Sequence, residues 1–133
     1  MSWMQNHIDE FRASGGKLGG GFEGRPVLLL TTTGRTSGQP RTAPMMYLRD
    51  DGHLYVFASK GGAPTHPHWY RNLVANPTVT VELGTDRFEA RARPLEGEEH
   101  DRVYAKQAEL YPQFGEYQRK TERTIPVVEL IRD

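Results

Sequence analysis

The chain has no cysteine among its 133 residues. Disulfides, thiolate nucleophiles and cysteine-ligated metals are therefore excluded. It also lacks an excess of either charge: 17 basic and 17 acidic side chains give a formal net charge of +0. A nucleic-acid binder normally carries a basic surplus, so no nucleic-acid partner is expected. No apolar run approaches the roughly 20 residues that span a bilayer. The N-terminus, MSWMQNHIDEF, has neither the basic start nor the apolar core of a secretory signal. These absences fit a cytoplasmic protein. There is also no G-x-G-x-x-G between a strand and a helix, so the dinucleotide fingerprint is missing.

What is present is a single-domain length with 36% hydrophobic and 26% charged residues, a globular rather than a disordered balance. Over residues 1–13, Trp3, Met4, His7, Ile8 and Phe11 fall on one side at helical spacing. This stripe is a candidate for peripheral membrane contact. SGGKLGGGFEG follows, with six glycines in eleven residues, and reads as a flexible linker. The chain accordingly divides into an N-terminal helix and linker over 1–20 and a main domain over 21–133.

Strands are predicted at 27–33, 41–48, 53–59, 78–83, 87–93 and 124–131. Pro44 demands an edge or a bulge in the second strand. Asp50-Asp51-Gly52 reads as a hairpin turn. Helices are predicted at about 67–75 and 96–110, with a second short helix within 111–123. Hairpins dominate and no β-α-β-α rhythm appears. The expected class is α+β, mainly β: a small closed or half-closed barrel with flanking helices.

Two loops carry the chemistry. The first is SKGGAPTHPHWYRNL, residues 59–73. Gly61 and Gly62 permit positive φ and close approach. Exposed amides in such a turn can form an anion-binding nest, to which Lys60 adds a point charge. Pro67 suits a helix start, with Thr65 or His66 near the cap, and Asn76-Pro77 stops the helix. For Trp69, core packing and a ligand contact are equally compatible with its spacing from Leu73. His66 and His68 are two apart and share no helix face, so a metal site is not expected. His66 reads as a hydrogen-bonding loop residue. The second loop is GRTSGQPRTAP, where Arg35 and Arg41 flank a hairpin. A solvated tip and a phosphate-binding rim both fit it, since arginine forks suit phosphate and carboxylate. The residues alone stop at an anionic small-molecule site, with a flavin-like cofactor as one occupant.

Three blocks go further. GGFEGRPVLLLTTTGRTSGQPRTAPMMYL, FASKGGAPTHPHWYRNLVANPTVTVE and LYPQFGEYQRKTERTIPVVEL occur in this order. In them the chain closely resembles the deazaflavin-dependent nitroreductase family, the split-barrel oxidoreductases of actinobacteria that use coenzyme F420. The resemblance implies a split β-barrel of the FMN-binding-like kind with F420 bound, and FMN as a weaker ligand. It implies that Arg35, Arg41, Ser59, Lys60, Gly61 and Gly62 line the cofactor, with Pro44, Met45 and Met46 at the deazaflavin ring. His66, Trp69, Tyr70 and Asn72 match positions near the cofactor or acceptor. Trp69, Phe114 and Tyr117 would wall the acceptor pocket, and Ser59 and Tyr111 would orient the acceptor. The implied activity is hydride transfer from F420H2 to a small planar acceptor, a quinone first and nitroaromatics second. A non-catalytic carrier or sensor of F420, FMN or haem is the alternative. Two positions depart from the family pattern. Thr36 stands where a basic residue is common, and Phe114 where some nitroreducing relatives carry a tyrosine. Tyr111, Phe114 and Tyr117 are three apart and are expected on one helix face.

Overall fold

The structure, a computed structural model, describes residues 3–19 and 24–133. Six antiparallel strands form a closed barrel in the order β1-β2-β3-β6-β5-β4. They are β1 Val27–Thr33, β2 Pro40–Asp50, β3 His53–Phe57, β4 Thr78–Leu83, β5 Asp86–Pro94 and β6 Val127–Arg132. Four helices flank it: α1 Trp3–Ser14, α2 His68–Ala75, α3 Gly97–Leu110 and α4 Gln113–Arg119. The barrel with flanking helices agrees with the class expected from the sequence.

The unbroken apolar run of β1 has a simple cause: the strand is covered on both faces. Leu28 and Leu30 point into the barrel core, whereas Val27 and Leu29 lie under α1. β5 instead alternates, with Ala90 and Ala92 inside and Glu89, Arg91 and Arg93 outside. The inner core also takes Met45, Val56, Val81, Val128 and Leu73 of α2. A second, outer core lies under α3 and α4 and holds Tyr55, Phe57, Val103, Phe114 and Val127.

The N-terminal helix is part of the body. Ile8 and Phe11 are buried against Val27 and Leu29, so these members of the apolar stripe face the barrel and not a membrane. Each such side chain contributes about 1.5–3 kcal/mol by leaving water. Arg12 forks onto Glu82 of β4 at 3.0 and 2.9 Å. The start of the expected linker is also pinned. Gly16 donates to the Phe11 carbonyl at 2.8 Å, Gly19 donates to Glu10 at 3.1 Å, and Leu18 is buried. A Cβ on Gly16 would stand 2.6 Å from the Gly84 Cα, so glycine is what lets this segment dock on the β4–β5 turn. The division expected between residues 20 and 21 lies outside the described residues. No described helix is long and apolar enough to cross a membrane.

Other boundaries have local reasons. The β2–β3 hairpin turns through Asp51 and Gly52, both at positive φ, as a two-residue hairpin requires. β3 ends at Phe57, two residues before its expected end, because the chain leaves the sheet for a 3-10 turn at Lys60–Gly62. β6 starts at Val127, three residues after its expected start. α2 is capped by Pro67 rather than by Thr65 or His66, and it ends with Asn76 extended before Pro77. Tyr111 is likewise extended before Pro112 and ends α3. A residue before proline is pushed out of the α region, which explains both stops.

Candidate functional site

The antiparallel order brings four chain segments to one end of the barrel: the end of β1, the start of β2, the end of β3 and the start of β6. Arg35, Arg41, Lys60 and Arg123 all belong to these segments. The sheet also opens here. β2 pairs with β1 along 40–46, but its pairing with β3 covers only Tyr47↔Val56 to Asp50↔His53. Upstream of Tyr47, β2 has no strand partner on its second side among the described residues. Tyr47 donates its N–H to Pro26 on the β1 side. Alternate residues along a strand aim alike, so the Pro44 nitrogen faces the unpaired side. This is the edge position that Pro44 requires. The barrel is therefore split at this end, between the first half of β2 and the loop that follows β3. Pro44 and Met46 occupy the outer face of β2. The Met45 side chain points the other way, into the inner core. Of the three residues assigned to the deazaflavin ring, Met45 offers backbone rather than side chain to this face.

Across the split lies the Ser59–Ala63 loop. Lys60, Gly61 and Gly62 have φ of 47°, 63° and 84°, three consecutive left-handed residues. Gly62 is irreplaceable for a second reason. A Cβ there would stand 2.8 Å from the Tyr117 carbonyl oxygen, so the loop lies directly on α4. Gly62 donates to the Ser59 carbonyl at 2.9 Å and Ala63 to that of Lys60 at 3.1 Å. Two amides of the expected nest are thus used within the turn. Lys60 is exposed and, among the described residues, reaches only Thr65, at 3.2 Å. Ser59 makes no side-chain cap bond.

One arginine holds this loop, and the sequence reading gave it no role. Arg123 donates from Nη1 to the Ala58 carbonyl at 3.1 Å, from Nη2 to that of Ser59 at 2.8 Å and from Nε to that of Ala63 at 2.8 Å. Nη1 also lies 3.0 Å from His66 Nδ1. Burial lowers the guanidinium pKa, and no carboxylate among the described residues pairs with it. Burial, then the charges of Arg123 and Arg71, lower that of His66. The His66 ring packs on Tyr70 with centroids 4.9 Å apart. Arg123 lay within the TERTIP stretch, but its partners are 57–65 residues away. No local spacing could have revealed them.

Arg35 is fixed by Asn72. The Asn72 Oδ1 accepts from the Arg35 N–H at 3.2 Å and from Nη1 at 2.9 Å, while its Nδ2 donates to Thr32 at 3.2 Å. Arg35 Nη2 is 3.4 Å from His68 Nδ1. Asn72 is buried, with its amide bonded to Arg35 and Thr32. Arg41 is exposed at the start of β2.

The aromatics divide. Trp69 and Tyr70 pack on the inner core, whereas Phe114, Tyr111 and Tyr117 belong to the outer one. Phe114 is 4% exposed, wedged between Phe57 and Tyr117 at 5.6 and 5.2 Å. Tyr111 and Tyr117 are half-buried around it. Tyr111 does not share a helix with them, because Pro112 breaks the chain's helical path. The Arg25 guanidinium stands over the Tyr111 ring at 5.7 Å. Tyr104 donates to the Phe114 carbonyl at 2.5 Å, and burial pushes its phenol up to about 12.

A cavity of about 370 Å³ lies at the other end of the barrel, lined by residues such as His53, Asp86, Glu129 and Arg132. Most of its charged lining is paired, Arg132 with Asp86 at 2.9 Å and His53 with Glu129 at 2.5 Å, while Arg49 stands in no ion pair among the described residues. The split end differs in kind. None of the ion pairs among the described residues involves Arg35, Arg41, Lys60 or Arg123. Unpaired cations beside an open strand edge and a left-handed loop suit a ligand with an anionic tail.

Comparison with known proteins agrees. Residues 3–131 match the model of the F420H(2)-dependent quinone reductase family. An F420H(2)-dependent quinone reductase from Mycobacterium tuberculosis is 37% identical over 145 residues, covering 98% of this chain and 96% of its own. A solved F420-H2 dependent reductase, FDR-A, is 47% identical with a TM-score of 0.72, covering 80% of this chain and 94% of its own. The haem storage protein HutZ from Vibrio cholerae superposes with a TM-score of 0.64 at 19% identity, covering 98% of this chain and 90% of its own. That likeness concerns the fold alone.

Proposed function

We propose, from the premise that the chain belongs to the F420H(2)-dependent quinone reductase family, that it transfers a hydride from reduced coenzyme F420 to a quinone. The observation that carries this reading is the cluster of cations without carboxylate partners at the split end of the barrel. An extended tail of phosphate and carboxylates is what such a donor set fits. FMN, with one phosphate, offers it less.

When bound, reduced F420 supplies the hydride. The protein supplies binding, orientation and exclusion of water. Arg35, Arg41 and Lys60 hold the tail. Pro44 and Met46 on the outer face of β2, with the Met45 backbone, floor the ring site. The Ser59–Gly62 loop closes the opposite side. The Ser59 and Tyr111 hydroxyls orient the acceptor and stabilise negative charge developing on its oxygen. Tyr117 and Trp69 wall the acceptor, with the buried Phe114 supporting Tyr117 from behind. The chain works in the cytoplasm on a small-molecule acceptor.

The test mixes the protein with reduced F420 and a menaquinone analogue and follows cofactor oxidation. Turnover together with tighter binding of F420 than of FMN is expected. Binding without turnover would make the protein a carrier, and equal or reversed affinities would remove the cofactor assignment.

A further inference from the structure

We propose that Arg123 is a positioning residue that fixes His66 as its Nε2–H tautomer and so makes that ring a hydrogen-bond donor to the anionic tail of the bound cofactor. The tautomer follows from this chain alone; the tail as recipient rests on the function proposed above.

A guanidinium has donors and no acceptor. With Arg123 Nη1 3.0 Å away, the Nδ1 of His66 must present its lone pair. A neutral imidazole with a bare Nδ1 carries its proton on Nε2. Arg123 cannot turn aside to accommodate the other tautomer, because three of its other four donors, spread over Nε, Nη1 and Nη2, are tied to the carbonyls of Ala63, Ala58 and Ser59. The charged groups that face His66 are Arg123, from the segment before β6, and Arg71 of α2, and Tyr70 of α2 adds its ring. Both charges are positive, so the ring stays neutral at neutral pH and donates without adding charge. No described residue bonds Nε2, which leaves that donor for a ligand. One side chain thereby sets the loop backbone and the direction of a donor beside it.

Nitrogen NMR of the cofactor-free protein, labelled at histidine, reads the tautomer directly. The wild type should show a protonated Nε2 and a bare Nδ1 for His66 at neutral pH, and the Nε2–H signal should move on adding F420. A proton on Nδ1, or a charged ring, overturns the proposal. Arg123→Met should release the single tautomer and raise the F420 Kd about tenfold, the scale of one or two hydrogen bonds. Arg123→Lys, which keeps a donor-only cation but not the fork on three carbonyls, should recover only part of that loss. His66→Phe keeps the ring on Tyr70 and leaves the three carbonyl bonds of Arg123 in place. It should raise the Kd about fivefold with the fold intact, and an unchanged Kd overturns the donor role even where Arg123→Met does not fold. If F420 fails to bind the wild type, the proposed function falls and the donor role with it, whereas the measured tautomer still decides the Arg123–His66 geometry.

Discussion

Asn72→Ala cuts three hydrogen bonds at once, and its cost can be worked from the groups it strands. The Arg35 N–H and guanidinium lie on an exposed turn and turn to water when the Asn72 Oδ1 is lost. Thr32 is 1% exposed, so its hydroxyl keeps no solvent alternative when Nδ2 is gone. A net hydrogen bond is worth about 0.5–1.5 kcal/mol, and a stranded buried group costs about 1–3. The expected loss is about 3 kcal/mol. With an unfolding entropy of about 2.1 cal/mol/K per residue, that lowers Tm by roughly 10 °C. Urea unfolding and calorimetry would measure both. Adding Thr32→Val removes the stranded hydroxyl and should return about 1–2 kcal/mol. The same cycle separates support from ligand contact. If Asn72 works through Arg35, then Asn72→Ala should weaken F420 binding no further once Arg35 is already alanine. A stability loss under about 0.5 kcal/mol, or no recovery in the double variant, would refute the bonding scheme. An added affinity loss beyond Arg35→Ala would make Asn72 a direct contact.

Lys60→Ala and Arg41→Ala should each weaken F420 binding about tenfold, with a smaller loss at high salt because both side chains are exposed; titration at two ionic strengths checks this, and wild-type affinity would return them to solvated tips. Deleting residues 1–14 uncovers Val27 and Leu29 and leaves the buried Glu82 without Arg12, so the barrel should unfold at markedly lower urea, and an unchanged midpoint would contradict the packing of α1. Tyr111→Phe should leave F420 affinity and fold intact and slow quinone reduction, read as kcat at saturating cofactor; identical kinetics would make Tyr111 a packing residue. Glu129 and His53 set a pH window. Burial pushes the Glu129 carboxyl up, but hydrogen bonds from His53 and Arg93 outweigh it and hold it low. Its stabilisation is present above the ordinary carboxylate value near 4.3 and is lost as pH falls through the lowered one. The hydrogen bond to Glu129 raises His53, whose contribution is complete below about 6.5 and lost as pH rises through the raised value. Glu129→Gln should flatten both flanks of Tm against pH, and unaltered flanks would show that the pair does not couple to folding.

The strands and hairpins were legible because their causes are local. Apolar runs, alternation and Asp51-Gly52 fix them within a few residues of chain. Even Pro44 announced an edge, and the split beside β2 is that edge. The cations of the two loops were legible as residue types, and the three family blocks gave them a common ligand. What local reading missed depends on long-range contact. The apolar stripe of α1 is the same whether it covers a membrane or a strand, and only Val27 and Leu29 decide between them. The aromatic spacing at 111, 114 and 117 ignored the extended conformation that Pro112 imposes on Tyr111. Asn72 carried a family role but no hint that Arg35 and Thr32 use up its amide. Arg123 binds through backbone carbonyls, which every residue has, so no side-chain pattern points to it.

Charge shows why composition could mislead about this site. A formal charge of +0 excludes long-range attraction for a polyanion, yet it says nothing about where the charges stand. The carboxylates of the described ion pairs are engaged elsewhere: Glu82 with Arg12, Glu129 and Glu99 with Arg93, Asp50 with Lys106 and Arg102, Asp86 with Arg132. Among the described residues the cations at the split end keep only neutral acceptors: an amide oxygen, a hydroxyl, carbonyls and two histidine nitrogens. Neutral acceptors position an arginine without cancelling its charge. A carboxylate in their place would have to be displaced before an anionic tail could bind, at a cost in affinity. Keeping the ion-paired acids off these cations leaves a local field that a compact anion meets only on arrival. Binding should therefore depend on salt through these contacts and little through the distant surface. A neutralising substitution at a distant charge such as Arg132 should leave F420 affinity and its salt dependence unchanged, whereas Lys60→Ala should lower both.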